Sequence, residues 1–238
     1  MKTKGKLFLS VALSSLPAGK PVVFWDTCAI LELMRLPERA NNPGRDFDQY
    51  EYLADKINAG EIISVTSELV FQEFNQHYKE ELTALRRHEQ KMRLEIKKIS
   101  SIMKSGAKRL RIENAVDSMH TELRVTSTIS KIWRNTILIR EQKSFLQFAY
   151  IRVKFKMAPS LNKEQFKDSY IWGTFLSFAH GLMAGTKLFF YTLNKSDYLD
   201  SNTKKLCPHI VTDLSMLPDV EVHTVLGSLY GVIYKLIP

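Results

Sequence analysis

Acidic and amide side chains stand in this sequence where predicted strands end or predicted helices begin. They are Asp26 in VVFWDT, Glu73 in SELVFQEF, Asp168 in KEQFKDSYIW, and Asn194 with Asp197 in LFFYTLNKSDYL. Carboxylates that lie far apart in sequence can converge at the edge of an open α/β sheet, and their oxygens suit hard divalent cations. The pattern makes this chain a candidate metal-dependent nuclease.

Each of these five residues also has a purely local interpretation. Asp26 can be a helix cap, and Glu73 and Asp168 can be first-turn acids favoured by the helix dipole. Asn194 and Asp197 can be ordinary turn residues. Their joint order is more telling, because acids follow two successive strands, a third opens a helix, and the Asn/Asp pair follows a later strand. That order favours a functional site.

Short apolar runs alternate with helical patterns and supply the elements that must position these side chains. The runs PVVFW, EIISVTS, KLFFYT and VEVHTV predict four strands. Predicted helices lie in CAILELMRL, which stops at Pro37, over residues 48–59 before Gly60, and over residues 162–185, closed by Gly185. The alternation predicts an α/β fold, a three-layer sandwich around a mostly parallel sheet of four or five strands.

The positive charge of the chain is concentrated in one segment. Between Lys79 and Lys143, 16 Lys or Arg stand against 8 Asp or Glu, so this segment holds +8 of the net charge of +9. It contains no proline and one glycine, Gly106, and it is rich in residues of high helix propensity. The basic character therefore belongs to a helical part of the protein.

Apolar residues of this segment recur at three- and four-residue steps. They predict a helix from about Val70 to Lys104, a turn near Gly106 and a second helix from about Ala107 into the 140s, forming an antiparallel helical hairpin. Its cations can be a solvated helix face or a contact surface for a nucleic acid. The predicted nucleic-acid-binding residues are Arg86, Arg87, Lys91, Lys97, Lys98, Lys108, Arg109 and Arg111.

The order of the acidic motifs resembles that of the PIN domain, a nuclease fold. FWDTCAIL matches the aspartate after the first strand, LVFQEF the later glutamate, KDSYIW the aspartate that opens a helix, and YTLNKSDY the Thr-x-Asp/Asn-x-x-Asp segment. The resemblance implies a single PIN-like domain over residues 1–238, with its core at about 21–75 and 160–238 and a helical insertion at about 76–158.

That resemblance also implies an activity, an endoribonuclease that uses Mg²⁺ or Mn²⁺ and hydrolyses RNA phosphodiester bonds with a metal-activated water. The implied site has four catalytic metal ligands, Asp26, Glu73, Asp168 and Asp197, one amide ligand, Asn194, and two hydroxyls that orient the carboxylates, Thr27 and Thr192. Many relatives have an aspartate where this chain has Asn194. We therefore expect weaker metal affinity or a one-metal site.

Three other interpretations stay open. The chain can be a catalytically weak or inactive PIN-like module that binds RNA or a protein, which Asn194 favours. It can be a structure-specific DNA nuclease, which salt dependence and substrate preference would reveal. It can also be a toxin-like nuclease whose helical insertion is held by an inhibitor or scaffold protein, for which exposed apolar area is the test. The resemblance further allows a homodimer.

Composition narrows the remaining classes. The two cysteines, Cys28 and Cys207, cannot form a disulfide framework and lack CxxC spacing, so we expect a reducing, cytoplasmic compartment. The six histidines show no HxxxH or HExxH spacing, which argues against histidine-based zinc chemistry. The first twenty residues loosely imitate a signal peptide, but serines interrupt their short apolar run. We expect neither export nor a membrane partner.

Overall fold

A computed structural model describes residues 3–39, 43–102, 120–161, 165–217 and 219–237 of the chain. Within these residues one sheet contains six strands: β1 (Gly5–Leu7), β2 (Val22–Trp25), β3 (Ile63–Ser67), β4 (Thr136–Ile139), β5 (Leu188–Tyr191) and β6 (Val220–His223). Their order is β1-β4-β3-β2-β5-β6, and every neighbouring pair is parallel. The predicted α/β class with a parallel sheet is confirmed, with six strands instead of four or five.

Helices connect the strands as the parallel arrangement requires. In the described residues they are α1 (Leu9–Ser14), α2 (Thr27–Arg39), α3 (Pro43–Asn58), α4 (Glu68–Ile102), α5 (Thr121–Arg134), α6 (Lys143–Lys154), α7 (Phe166–Gly181), α8 (Lys195–Tyr198), α9 (Pro208–Leu214) and α10 (Leu226–Leu236). None of these helices combines the length and the apolar character needed to cross a membrane.

Aromatic contacts show that helices cover both faces of the sheet. Phe24 of β2 packs edge-on against Phe175 of α7, with ring centroids 5.5 Å apart. The next residue, Trp25, packs against Tyr191 of β5, which in turn lies 6.4 Å from Tyr50 of α3. Successive side chains of a strand point to opposite faces, so α7 and α3 belong to different layers. This is the predicted three-layer sandwich.

The prediction that the second helix of the hairpin extends into the 140s is wrong, because Thr136–Ile139 forms β4. α5 ends at Arg134, and the following run TILI forms a strand between β1 and β3 with all four residues buried. The Thr136 hydroxyl lies 2.6 Å from the Ser64 hydroxyl of β3. A short apolar run carries no periodicity that separates a buried strand from a helix.

The antiparallel hairpin is not confirmed. α5 packs chiefly against α3 and makes fewer contacts with α4 and α2. The predicted turn near Gly106 lies outside the described residues. What the structure does contain is one unbroken helix of 35 residues, α4, which begins directly after β3. The Ser67 hydroxyl caps it by accepting the Val70 N–H at 3.2 Å.

Helix boundaries differ from prediction in three places. α2 continues through Pro37 to Arg39, and α3 begins at Pro43 instead of near residue 48. Pro43 is well tolerated as the first residue of α3, because a backbone N–H at that position would have no partner within the helix. α7 ends at Gly181, before the predicted Gly185. None of these shifts moves Asp26 from the end of β2 or Asp168 from the first turn of α7.

Candidate active site

The pairing of β2 with β5 places Asp26 beside the segment that begins at Thr192. Past Trp25, the Asp26 N–H donates to the Tyr191 carbonyl at 3.0 Å, which extends the β2–β5 ladder by one residue. Asp26 and Thr192 therefore leave the sheet side by side at its carboxyl edge. α4 starts at the end of β3 and carries Glu73 to the same edge. Open parallel sheets bind ligands at this edge.

Three donors hold the buried Asp26 carboxylate, which is only 2% exposed. Oδ2 accepts the Thr192 hydroxyl at 2.6 Å and the Cys28 thiol at 3.1 Å, while Oδ1 accepts the Thr27 N–H at 2.7 Å. Burial raises the pKa of Asp26 above its ordinary value, the three donors oppose that rise, and the nearby Glu73 adds to it. The donors fix one orientation of the carboxylate.

Glu73 is linked to the same cluster through Thr27. The Thr27 hydroxyl donates to Glu73 Oε2 at 2.7 Å, and the Lys167 ammonium donates to Glu73 Oε1 at 2.8 Å. Thr27 thus contacts one carboxylate with its backbone and another with its side chain, while Thr192 contacts Asp26. These are the contacts that an orienting hydroxyl makes, and the orienting roles stay predictions.

Asp168 is a second carboxyl of the cluster whose pKa is raised. It lies in the first turn of α7. Burial is the largest cause that raises the pKa of Asp168, followed by the negative charges of Asp26, Asp197 and Glu73. A hydrogen bond with Asn194 lowers this pKa, and the result is a value of about 8. At neutral pH this carboxyl therefore retains its proton in the protein alone. The four predicted acids share one electrostatic neighbourhood, although they come from four separate segments.

Asn194 carries no charge, and its side-chain and backbone amides bind nearby residues of the same segment. Its amide nitrogen donates to Asp197 Oδ2, and its backbone N–H donates to the Thr192 hydroxyl at 3.0 Å. The Ser196 hydroxyl donates to Asn194 Oδ1 at 3.0 Å and lies 3.3 Å from Asp197 Oδ1. An aspartate at position 194 would instead repel the buried Asp197. The amide therefore reduces the density of negative charge in the site.

Most of the predicted site residues line a cleft of about 340 Å³, but Asp197 and Thr192 do not. Its polar and charged lining residues are Asp26, Thr27, Cys28, Arg35, Glu73, His77, Asp168 and Asn194. Sequence analysis missed Cys28, Arg35 and His77 as members of this site. Helical spacing from Thr27 and Glu73 could have found Arg35 and His77, because two turns of α2 and one turn of α4 return a side chain to the same face.

The cleft contains oxygen atoms of the kind that bind a divalent cation, but these oxygens are not arranged as metal ligands. Carboxylate and amide oxygens are what Mg²⁺ and Mn²⁺ prefer. Within the described residues, however, no group of three or more His, Cys, Asp or Glu stands close enough to hold an ion. Glu73 is bound to Lys167 and Asp197 to Asn194. Cation binding would require these side chains to exchange their present partners, and the metal-ligand roles stay predictions.

The predicted nucleic-acid-binding residues divide into three groups. Arg86 is held by Glu122 of α5, to which its Nε and Nη2 donate at 2.8 and 2.7 Å. Exposed positions on α4 are occupied by Arg87, Lys91, Lys97 and Lys98. The rest lie outside the described residues, namely Lys108, Arg109 and Arg111.

Helical phase separates the exposed cations of α4. At 3.6 residues per turn, Arg87, Lys91 and Lys98 lie within about 40° of Glu73 around the helix axis. Arg86 and Lys97 lie roughly 120–140° away by the same count. We call Arg87, Lys91 and Lys98 the cleft-side cations, because they continue the face of α4 that lines the cleft.

Comparison with known families agrees with this geometry. A model of the PIN domain matches residues 23–198, which is most of the chain and includes every acid of the cleft. The protein therefore belongs to the PIN domain family, whose members are generally metal-dependent nucleases. The comparisons with curated proteins and with solved structures found no match.

Proposed function

We propose that this PIN domain is a divalent-metal-dependent endoribonuclease and that the acidic cleft is its active site. One observation carries the proposal: three acids and an amide from four separate segments, Asp26, Glu73, Asp168 and Asn194, line one cleft. Carboxyls crowded in this way have more negative charge than their surroundings offset. A divalent cation offsets such charge, and its binding would release the proton of Asp168.

The residues of the cleft have distinct tasks in this proposal. The groups that would hold Mg²⁺ or Mn²⁺ are Asp26, Glu73, Asp168, Asp197 and the carbonyl of Asn194. A divalent cation lowers the pKa of water and offsets the charge that builds on a phosphodiester during hydrolysis. Thr192 and Thr27 keep the Asp26 and Glu73 carboxylates oriented through bonds of 2.6 and 2.7 Å.

A polyanionic substrate is supported by the surface next to the cleft. The cleft-side cations are exposed, and they follow Glu73 along one face of α4. A nucleic acid strand that leaves the cleft in this direction would meet positive charge. RNA is chosen because the acidic motifs resemble those of PIN ribonucleases, and DNA is the alternative that the experiment includes.

The decisive experiment is a cleavage assay with fluorogenic RNA and DNA of one sequence, run with Mg²⁺, with Mn²⁺ and with a chelator. We expect cutting of RNA only when metal is present. Asp26→Asn and Asp168→Asn should each lower the rate by at least about a hundredfold, since changes even to groups that orient metal ligands cost 10–100-fold. The matched control is Asp55→Asn, which removes an exposed carboxylate that pairs with Lys131 at 2.7 Å.

Each result has a definite reading. Cutting in the chelator, or by both cleft variants, would overturn the metal-nuclease proposal, and faster cutting of DNA would reassign the substrate. Calorimetry adds a measurement that does not depend on cleavage. Titration with Mg²⁺ or Mn²⁺ in buffers of different protonation enthalpy should detect more proton release from the wild type than from Asp168→Asn.

A further inference from the structure

A second, larger cavity adjoins the candidate active site. It has a volume of about 750 Å³. Leu193 and Asn194 line the cleft, and the next two residues of the chain, Lys195 and Ser196, line this cavity. The Ser196 hydroxyl donates back to Asn194 Oδ1 at 3.0 Å. The segment 193–196 is thus a wall shared by the two cavities.

The lining of the second cavity combines positive charge with apolar surface. Lys195 is the first residue of α8, which follows β5, and Thr224 and Val225 lie in the loop after β6. Leu199 and Lys204 lie between these strands. The cavity therefore opens at the carboxyl edge of two neighbouring parallel strands, as the cleft does. Lysine ammonium groups beside apolar side chains suit a nucleotide, which has a charged phosphate and a flat base whose faces can pack on apolar side chains.

Both lysines keep donors for a ligand. Lys195 forms no ion pair with any described residue, and Lys204 donates only to the Ser201 carbonyl, at 2.6 Å. Asp200, which also lines the cavity, accepts hydrogen bonds within its own turn. Its Oδ1 accepts the Thr203 N–H at 2.8 Å and the Thr203 hydroxyl at 3.0 Å, and these bonds lower its pKa. Neither lysine forms an ion pair with Asp200, although the nearby charge of Lys204 also lowers the pKa of that carboxyl.

We infer that this cavity binds a nucleotide that flanks the scissile phosphodiester of a single-stranded nucleic acid. Lys195 and Lys204 contact phosphate oxygens, and Leu199 and Val225 contact the base or sugar. A strand crossing the segment 193–196 places one phosphate in the cleft and the neighbouring nucleotide in the cavity. The inference rests on the proposed function for its assignment of the cleft, whereas its binding chemistry can be measured separately.

The test measures binding without cleavage. Labelled single-stranded RNA is titrated with protein in a chelator, and fluorescence anisotropy is recorded over a range of salt concentrations. Neutralising both lysines, Lys195→Gln with Lys204→Gln, should weaken binding and reduce the salt slope by about 1.4, because each phosphate contact to a single strand contributes about 0.7. The arginine pair, Lys195→Arg with Lys204→Arg, should retain the slope.

Lys205→Gln is the matched control, since Lys205 is exposed in the same loop but does not line the cavity. It should bind like the wild type, and thermal unfolding should show that all variants remain folded. An unchanged slope in the glutamine pair, or an equal loss in Lys205→Gln, would overturn the inference even if the protein cuts RNA. A reduced slope in a protein that never cuts would support the binding site and reject only the nuclease.

Discussion

The two halves of α4 belong to surfaces with opposite physical character. Near its start, Glu73 joins a buried cluster in which the carboxylates of Asp26 and Glu73 accept hydrogen bonds of 2.6 to 3.1 Å. Farther along, the cleft-side cations are exposed and form no ion pair with any described residue. The cleft depends on individual hydrogen bonds because water cannot replace them. The cationic surface depends on total charge, which salt screens.

The largest effect that separates these two surfaces should follow loss of one hydroxyl beside the cleft. Thr192→Val preserves side-chain shape, but it removes the 2.6 Å bond to Asp26 and the acceptor of the Asn194 N–H. We expect cleavage to fall 10–100-fold, the usual cost of losing a group that orients a metal ligand. Because the Thr192 bond lowers the pKa of Asp26, the acid limb of the pH–rate profile should also move to higher pH.

Thr128→Val is the control for this change. Thr128 is equally buried, but its hydroxyl donates to the Arg124 carbonyl within α5. Its replacement should leave both the rate and the pH–rate profile unchanged. A Thr192→Val protein that cuts at the wild-type rate would show that the cleft does not depend on this hydrogen bond.

The next effect concerns stability and pH. The folded state binds the Asp168 proton more tightly than the unfolded chain, since its pKa rises from 3.8 to about 8. The resulting stabilisation is complete below the lower pKa and is lost as pH rises through the higher one. Without metal, the free energy of unfolding should fall between about pH 5 and about pH 8 by roughly 2 kcal/mol more in the wild type than in Asp168→Asn, allowing for solvent screening.

Urea unfolding in a chelator at both pH values measures this difference. Asp55→Asn, with its exposed carboxylate removed, should follow the wild type. Equal pH dependence in the wild type and Asp168→Asn would mean that the carboxyls of the cleft do not repel one another as the structure indicates.

The smallest effect should come from the exposed half of α4. Neutralising Arg87, Lys91 and Lys98 together should reduce the salt slope of RNA binding by about 2, at about 0.7 for each phosphate contact. The matched control neutralises Arg86 and Lys97, which lie on the other side of the same helix. Their loss should change the slope little. Equal effects per charge removed would show that only total charge matters, and no effect of either set would favour a protein partner for α4.

The sequence by itself determined the class of fold, the family and the identity of the acids. The runs at β2 and β5 are apolar and buried on both faces, and such runs are typical of parallel strands. Asp26 and Asn194 follow these two runs, so their place at the carboxyl edge needed no further information. The alternation of strand, acid and helix along the chain is a local property, and local patterns are what a sequence displays.

Only the tertiary structure decided the position of β4, the partners of the side chains and the charge state of the cleft. Thr136–Ile139 forms a strand because the gap beside β3 buries it, although its neighbours along the chain are helical. Arg86 is tied to Glu122, and Thr27 joins Asp26 to Glu73. The pKa of Asp168 depends on its distances from three carboxyls in other segments, and Coulomb interactions follow separation in space.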